Sequence, residues 1–129
     1  MERTNFEKLD VYKLSEELAD LIWDIVIGWN SLAQDTVGKQ LIKSCDSIGA
    51  NVAEGTGRGS AKENKRFARI ARGSLFETKH WLRRALRRNI LNKKNIDEIK
   101  LIIDELSPRL IAYINSIKTT NNRQLSTIN

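Results

Sequence analysis

The sequence predicts an all-α fold, an antiparallel up-down-up-down four-helix bundle in one domain. Three observations carry this. Four segments repeat their apolar residues at spacings of three and four, and none alternates with period two between turn signals. The single proline is Pro108, and four of the seven glycines fall between positions 49 and 59, which leaves long stretches without a helix breaker. A chain of 129 residues suffices for one core. Residues 1–118 are assigned to the bundle. The polar run 119–129, TTNNRQLSTIN, is assigned to a flexible C-terminal tail.

The first segment runs from about Leu9 to Trp29, with Leu14, Leu18, Leu21, Ile22, Ile25 and Val26 on its apolar side and Asp10, Glu17, Asp20 and Asp24 on its polar side. The second runs from Asp35, a suitable N-cap, to Glu54, with Gly55 placed for a left-handed C-cap. Its apolar face is Val37, Leu41, Ile42, Cys45, Ile48, Val52 and Ala53. The third runs from Ser60 to Leu91 and opens on a Ser-x-x-Glu capping box, Ser60 and Glu63. Phe67, Ile70, Ala71, Ser74, Leu75, Thr78, Leu82 and Ala85 share one side of it. The fourth starts near Asn95, with Glu98 completing a second box, and continues through Ile96, Ile99, Ile102, Ile103, Leu106, Leu110, Ile114 and Ile117 to about Lys118. Pro108 lies within it and predicts a kink or break near Glu105, because proline removes a donor and crowds the preceding turn.

Composition narrows the function. One cysteine, Cys45, permits neither an internal disulfide nor a cysteine-based zinc site. The N-terminus MERTNFEKLD is too polar for a signal peptide, and Asp20 and Asp24 interrupt the longest apolar stretch, so no membrane partner is expected. These features point to a reducing, cytoplasmic setting. The net charge is +6, unevenly spread. From Arg58 to Lys94 there are 13 Lys and Arg against 2 acidic residues, whereas the remainder holds 9 against 14.

On a helical wheel Lys62, Lys65, Arg66, Arg69, Arg72, Lys79, Arg83, Arg84, Arg87 and Arg88 all fall within one half-circle of the third segment. A solvated helix face ordinarily mixes signs, and here only Glu63 and Glu77 are acidic. So much like charge destabilises the folded state unless a polyanion or an acidic partner compensates. Arg58, just before the helix, joins the set. Phe76, His80 and Gly73 lie in the middle of the basic arc. An aromatic there suits either stacking on an unpaired base or a subunit interface with Gly73 allowing close approach, and the interface is the preferred reading.

The turn Gly55-Thr56-Gly57-Arg58-Gly59-Ser60 matches no nucleotide-binding fingerprint and follows no strand, so it reads as an interhelical turn rather than a phosphate cradle. Asn51, Glu54 and Arg58 have the spacing of a structural network that would fix the second helix on the third. Glu77-x-x-His80 has the spacing of half a di-iron site, but the chain has one histidine and the motif needs two. No arginine stands close enough before His80 for a helical ribonuclease pair, and Cys45 has no histidine to activate it. No catalytic residue, metal or cofactor is expected.

The run Ser47-Ile48-x-Ala50-Asn51-Val52-Ala53-Glu54-Gly55-x-Gly57-Arg58, followed by Ser60-x-x-Glu63 and Phe67-x-x-Ile70-Ala71-x-Gly73-Ser74-x-x-Glu77, resembles the four-helix-bundle proteins first noted within intervening sequences of bacterial 23S rRNA genes. The opening Phe6-x-x-Leu9-x-Val11-Tyr12 fits as well, and the stretch from Trp81-Leu82-Arg83-Arg84-Ala85 resembles a branch that includes the accessory variability determinants of diversity-generating retroelements. The resemblance implies a homopentameric ring with a basic surface. For the retroelement branch it implies RNA or DNA and a reverse transcriptase as partners, in support of mutagenic cDNA synthesis. It brings no catalytic residues. The expected function is therefore a non-enzymatic, oligomeric nucleic-acid-binding accessory protein. The competing expectation is a protein–protein scaffold with no direct nucleic-acid role.

Overall fold

The computed structural model describes residues 6 and 9–119, so the expected C-terminal tail lies, beyond Thr119, outside the described residues. Four long helices build the bundle, and the described residues contain no strand. Helix α1 spans Asp10–Val26. A single turn, α2 (Ser31–Ala33), passes through a wide π turn at Gln34–Gly38 into α3 (Lys39–Thr56). Helix α4 spans Ala61–Arg87 and α5 spans Lys93–Ser116. Helix α1 packs on α3 and α5, and α4 packs closely on α3 and more lightly on α5.

Each helix contributes one apolar stripe. Leu18 and Ile22 of α1, Leu41, Ile48 and Val52 of α3, and Leu106 and Leu110 of α5 are fully buried. Helix α4 differs in using small residues. Its buried positions are Ala68, Ala71, Leu75, Thr78 and Ala85, which step along the helix at three- and four-residue intervals. Such a stripe brings the backbones of α3 and α4 close together. The Ser44 and Thr78 hydroxyls meet across this contact at 3.1 Å, and each also reaches a carbonyl of its own helix, Leu41 at 3.2 Å and Ser74 at 2.8 Å. Both side chains are buried, so these bonds offset the desolvation of two hydroxyls.

Several helix ends differ from the sequence expectation. The second helix starts at Asn30, not Asp35. The Asn30 side chain accepts the Ala33 N–H at 3.0 Å, while Asp35 sits inside the π turn. Gln34 reaches back to the Val26 and Ile27 carbonyls at 3.2 and 3.0 Å and so satisfies the end of α1. Gly55 is not a C-cap. It is buried within α3, and a Cβ there would stand 2.7 Å from Asn64 Oδ1 and 3.0 Å from the Asn64 carbonyl oxygen on α4. In the turn between α3 and α4 it is Gly59 that takes a positive φ, +81°. Ser60 caps α4 through the Glu63 N–H at 3.2 Å, but the Glu63 carboxylate turns to Arg66 at 2.7 Å rather than closing the box.

Helix α4 ends at Arg87, earlier than Leu91, where Asn89 takes a positive φ of 58°. The capping box of α5 is Asn92 with Asn95, one turn before the expected Asn95 and Glu98. Pro108 does not break α5, which runs through it. The proline lies on the exposed face, where water can replace the one backbone hydrogen bond it removes. Ile70, expected on the core side of α4, is 40% exposed, and Ala68 occupies the core instead.

Cys45 lies in the core, and burial, assisted by the neighbouring Asp46 charge, pushes its thiol up to about 12. A thiolate is therefore absent from the native protein at neutral pH. Alkylation of native protein by iodoacetamide should be far slower than alkylation in urea. Equal rates would show that Cys45 is accessible. The two glycines on the α3–α4 hairpin should respond in opposite directions. Gly55→Ala forces α3 from α4 and should destabilise by about 1–3 kcal/mol. Gly73→Ala, on a helix surface where an added Cβ meets nothing within 4 Å, should stabilise by about 0.5–1 kcal/mol. Urea denaturation of both variants measures each value.

Candidate nucleic-acid interface

The small-residue stripe of α4 fixes where its basic residues go. With Ala68, Ala71, Leu75, Thr78 and Ala85 turned inward, the opposite half of the helix faces out along 27 residues, about 40 Å at the usual helical rise. Lys62, Arg66, Arg69, Arg83, Arg87 and Arg88 are exposed there, and Lys65, Arg72, Lys79 and Arg84 are partly covered at the edges of the same ridge. Arg58 is exposed in the turn that leads into it.

Few acids neutralise these cations. Among the described residues the ion pairs on this part of the chain are Arg58 with Glu54 at 2.8 Å and Arg66 with Glu63 at 2.7 Å. Glu63 is held below the usual carboxylate range, first by its hydrogen bond from Arg66 and then by the charges of Arg66, Arg58 and Lys62. Glu77 accepts a hydrogen bond from the Trp81 indole N–H at 3.2 Å. No ion pair is formed, among the described residues, by Arg69, Arg72, Arg83, Arg84, Arg87 or Arg88. Near the C-terminus of α4, Arg83, Arg84, Leu86, Arg87 and Asn89 line an open depression of about 610 Å³. Arg84 and Arg87 stand in the last turn, where the helix dipole favours cations, but the dipole does not reach Arg69 and Arg72 in mid-helix.

Two of these cations lie over the Phe67 ring, with the Arg58 and Arg66 guanidinium carbons 4.9 and 4.5 Å from its centre. That contact corrects the expected Asn51–Glu54–Arg58 network. Glu54 and Arg58 do pair, but at the surface, and Asn51 donates to the Ser47 carbonyl of its own helix at 2.8 Å. Arg58 ties the turn to α4 through Phe67 instead.

Gly73, Phe76 and His80 are all exposed on the ridge, as the wheel places them. The Phe76 ring is 60% exposed with the Lys79 ammonium 5.5 Å from its centre. His80 lies edge-on to Trp81 at 4.8 Å. The Glu77 and His80 side chains thus both engage Trp81. Among the described residues no group of three His, Cys, Asp or Glu side chains stands close enough to hold a metal ion. Among the described residues no helix is long and apolar enough to cross a membrane.

The opposite side of the bundle has a feature that sequence reasoning missed. Glu17, Leu21 and Asp24 of α1 and Glu98, Leu101 and Ile102 of α5 line a groove of about 380 Å³, and Leu101 is 75% exposed. The signal was present, because Leu101 falls off the apolar stripe of the fourth segment and the acids of the first segment share a face. Asp20 and Asp46 add negative charge between α1 and α3, where burial and the Asp20 charge raise the Asp46 carboxyl.

Comparison with known proteins agrees with this architecture. A solved structure is similar over 82% of this chain and 96% of its own, with a TM-score of 0.72 and 25% identity. It is described as a protein with unknown function from the S23 ribosomal protein family of Bacteroides thetaiotaomicron. No curated protein matches the chain. The model of the 23S rRNA-intervening sequence protein family matches residues 7–112, the whole bundle from the start of α1 into the last turns of α5. The chain belongs to the 23S rRNA-intervening sequence protein family.

Proposed function

We propose that this protein is a non-enzymatic, oligomeric nucleic-acid-binding accessory protein, of the kind that assists a retroelement reverse transcriptase in mutagenic cDNA synthesis. The observation that carries the reading is the ridge of α4, where Arg69, Arg72, Arg83, Arg84, Arg87 and Arg88 project from one helix without acidic partners among the described residues. Phosphates of RNA or DNA relieve the repulsion among these charges, and contacts of this kind position a strand without reading its sequence. The homo-oligomer, a pentamer by family resemblance, would place several such ridges on one particle. A face with exposed Leu101 between Glu17, Asp24 and Glu98 is suited to self-association that leaves α4 free.

A second reading has its own support in that groove. An acidic rim around an apolar floor complements a basic ridge that carries Phe76, so α4 could instead serve a protein partner, such as a neighbouring subunit or the reverse transcriptase. The two readings separate cleanly.

Binding of a fluorescent structured RNA should weaken by several hundred-fold between about 50 and about 200 mM salt, as expected for roughly five neutralised phosphates. The double reversal Arg83→Glu and Arg87→Glu should abolish that binding and leave the light-scattering mass, near five chains, unchanged. A shallow salt slope, or a mass that collapses in the reversed variant, would favour the protein-docking reading.

A further inference from the structure

We propose that Gly73, Phe76 and His80 form a stacking platform for unpaired bases, which makes single strands, rather than duplex, the ligand of the α4 ridge. The inference rests on the nucleic-acid reading above and goes beyond it by naming the class of strand and the residues that select it.

The three residues lie at i, i+3 and i+7 and span about 60° of the wheel, in the middle of the basic arc. Arg69 and Arg72 precede them, and Arg83, Arg84 and Arg87 follow. The Phe76 ring belongs to no core cluster, and its close ring contact is the Lys79 ammonium at 5.5 Å. A phenylalanine with more than half its surface in water lies outside the core of the bundle.

Gly73 supplies a second, independent observation. An added Cβ would meet nothing within 4 Å, so no neighbour within the fold requires glycine there. Glycine within a helix is nevertheless the poorest choice short of proline. Its local effect is to bare the backbone a turn before the Phe76 ring, with open space where a side chain would stand. A planar base has room there, whereas a side chain would take that room.

Phosphate contacts do not distinguish single strands from duplex, but an aromatic on a convex helix does. Bases in a duplex are paired and stacked on each other, and a ring standing on an outer ridge cannot reach their faces. A single strand offers those faces freely, and stacking tolerates every base. From Arg69 to Arg87 the ridge is about 27 Å long, the reach of about eight stacked nucleotides. The sequence alone leaned towards a subunit contact for Phe76. The open space at Gly73 and the Lys79 ammonium over the Phe76 ring favour a base.

The test compares a fluorescent single-stranded oligouridine with an RNA duplex of the same length, by anisotropy at one salt concentration. Phe76→Ala and Phe76→Leu should each weaken single-strand binding by about tenfold and leave duplex binding within about twofold. Phe76→Trp should retain it. Gly73→Ala should weaken single-strand binding while it raises the melting temperature, a combination that a purely structural role does not give. Because Phe76 and Gly73 are exposed, all four variants should keep the native circular dichroism. Single-strand affinity unchanged in both Phe76→Ala and Phe76→Leu would overturn the platform and leave the charged ridge standing. A smaller light-scattering mass in Phe76→Ala that Phe76→Leu restores would overturn it in favour of a subunit contact. Wild-type protein that binds neither RNA would overturn the nucleic-acid reading, and the platform with it.

Discussion

The close contact between α3 and α4 is the constraint on which the rest of the molecule depends. Where most helices of a small bundle bury leucine and isoleucine, α4 buries three alanines and a threonine beside a single leucine, Leu75. Gly55 on α3 sits against the backbone of Asn64, and Ser44 meets Thr78 between the helices. Small residues leave little freedom in how α4 rotates, since turning it by one position would drive a lysine or arginine into a gap with no room for it. The orientation of the basic half-circle is thus set by residues that carry no charge. Tyr113 of α5, whose hydroxyl lies 3.4 Å from Asn64 Oδ1, extends the same fixation to the fourth helix.

That arrangement concentrates charge in a way that local interactions do not relieve. Pairs four residues apart, such as Lys93 with Asp97 and Lys100 with Asp104, balance α5 internally. Arg109 likewise joins Glu105 of its own helix to Asp10 of α1. Helix α4 has no such pattern after Arg66. The bundle is consequently polarised, with a cationic ridge on one side and an acidic groove between α1 and α5 on another. Exposed ion pairs add little to stability, so their presence along α5 and, among the described residues, their absence from α4 beyond Arg66 matters less for folding than for what each face attracts.

Most of the fold could be read from the sequence because helical periodicity reports burial directly. The stripes of α1, α3 and α5 emerged almost residue by residue. What could not be read came from tertiary packing or from competition between equivalent local signals. Leu32 is exposed and the π turn at Gln34–Gly38 shifts the phase of the pattern, so the first turn of the second helix left no periodic trace. Asn92, Asn95 and Glu98 offer two capping frames three residues apart, and spacing alone does not choose between them. Gly55 sits in a run that resembles a turn by composition, yet it is needed inside a helix because Asn64 and Phe67 press against it from α4. The ridge was legible because charge on an outward face needs no packing partner to be recognised. The acidic groove was harder to see because it forms only when α1 and α5 come together.

A binding surface built on one helix has consequences that a cleft does not. A cleft excludes water and concentrates a few groups on one reacting bond, which is what catalysis requires. A convex ridge leaves most of its arginines open to water, so each contact with a phosphate would be weak and replaceable. Affinity then arises from the number of contacts, and it multiplies when several ridges share one particle, because a strand released by one subunit remains near the next. Such a surface holds a long strand without locking it in one register, and the strand can advance while it remains bound. The outward setting of this ridge follows from the way Gly55, Ala68 and Ala71 seat α4 against α3.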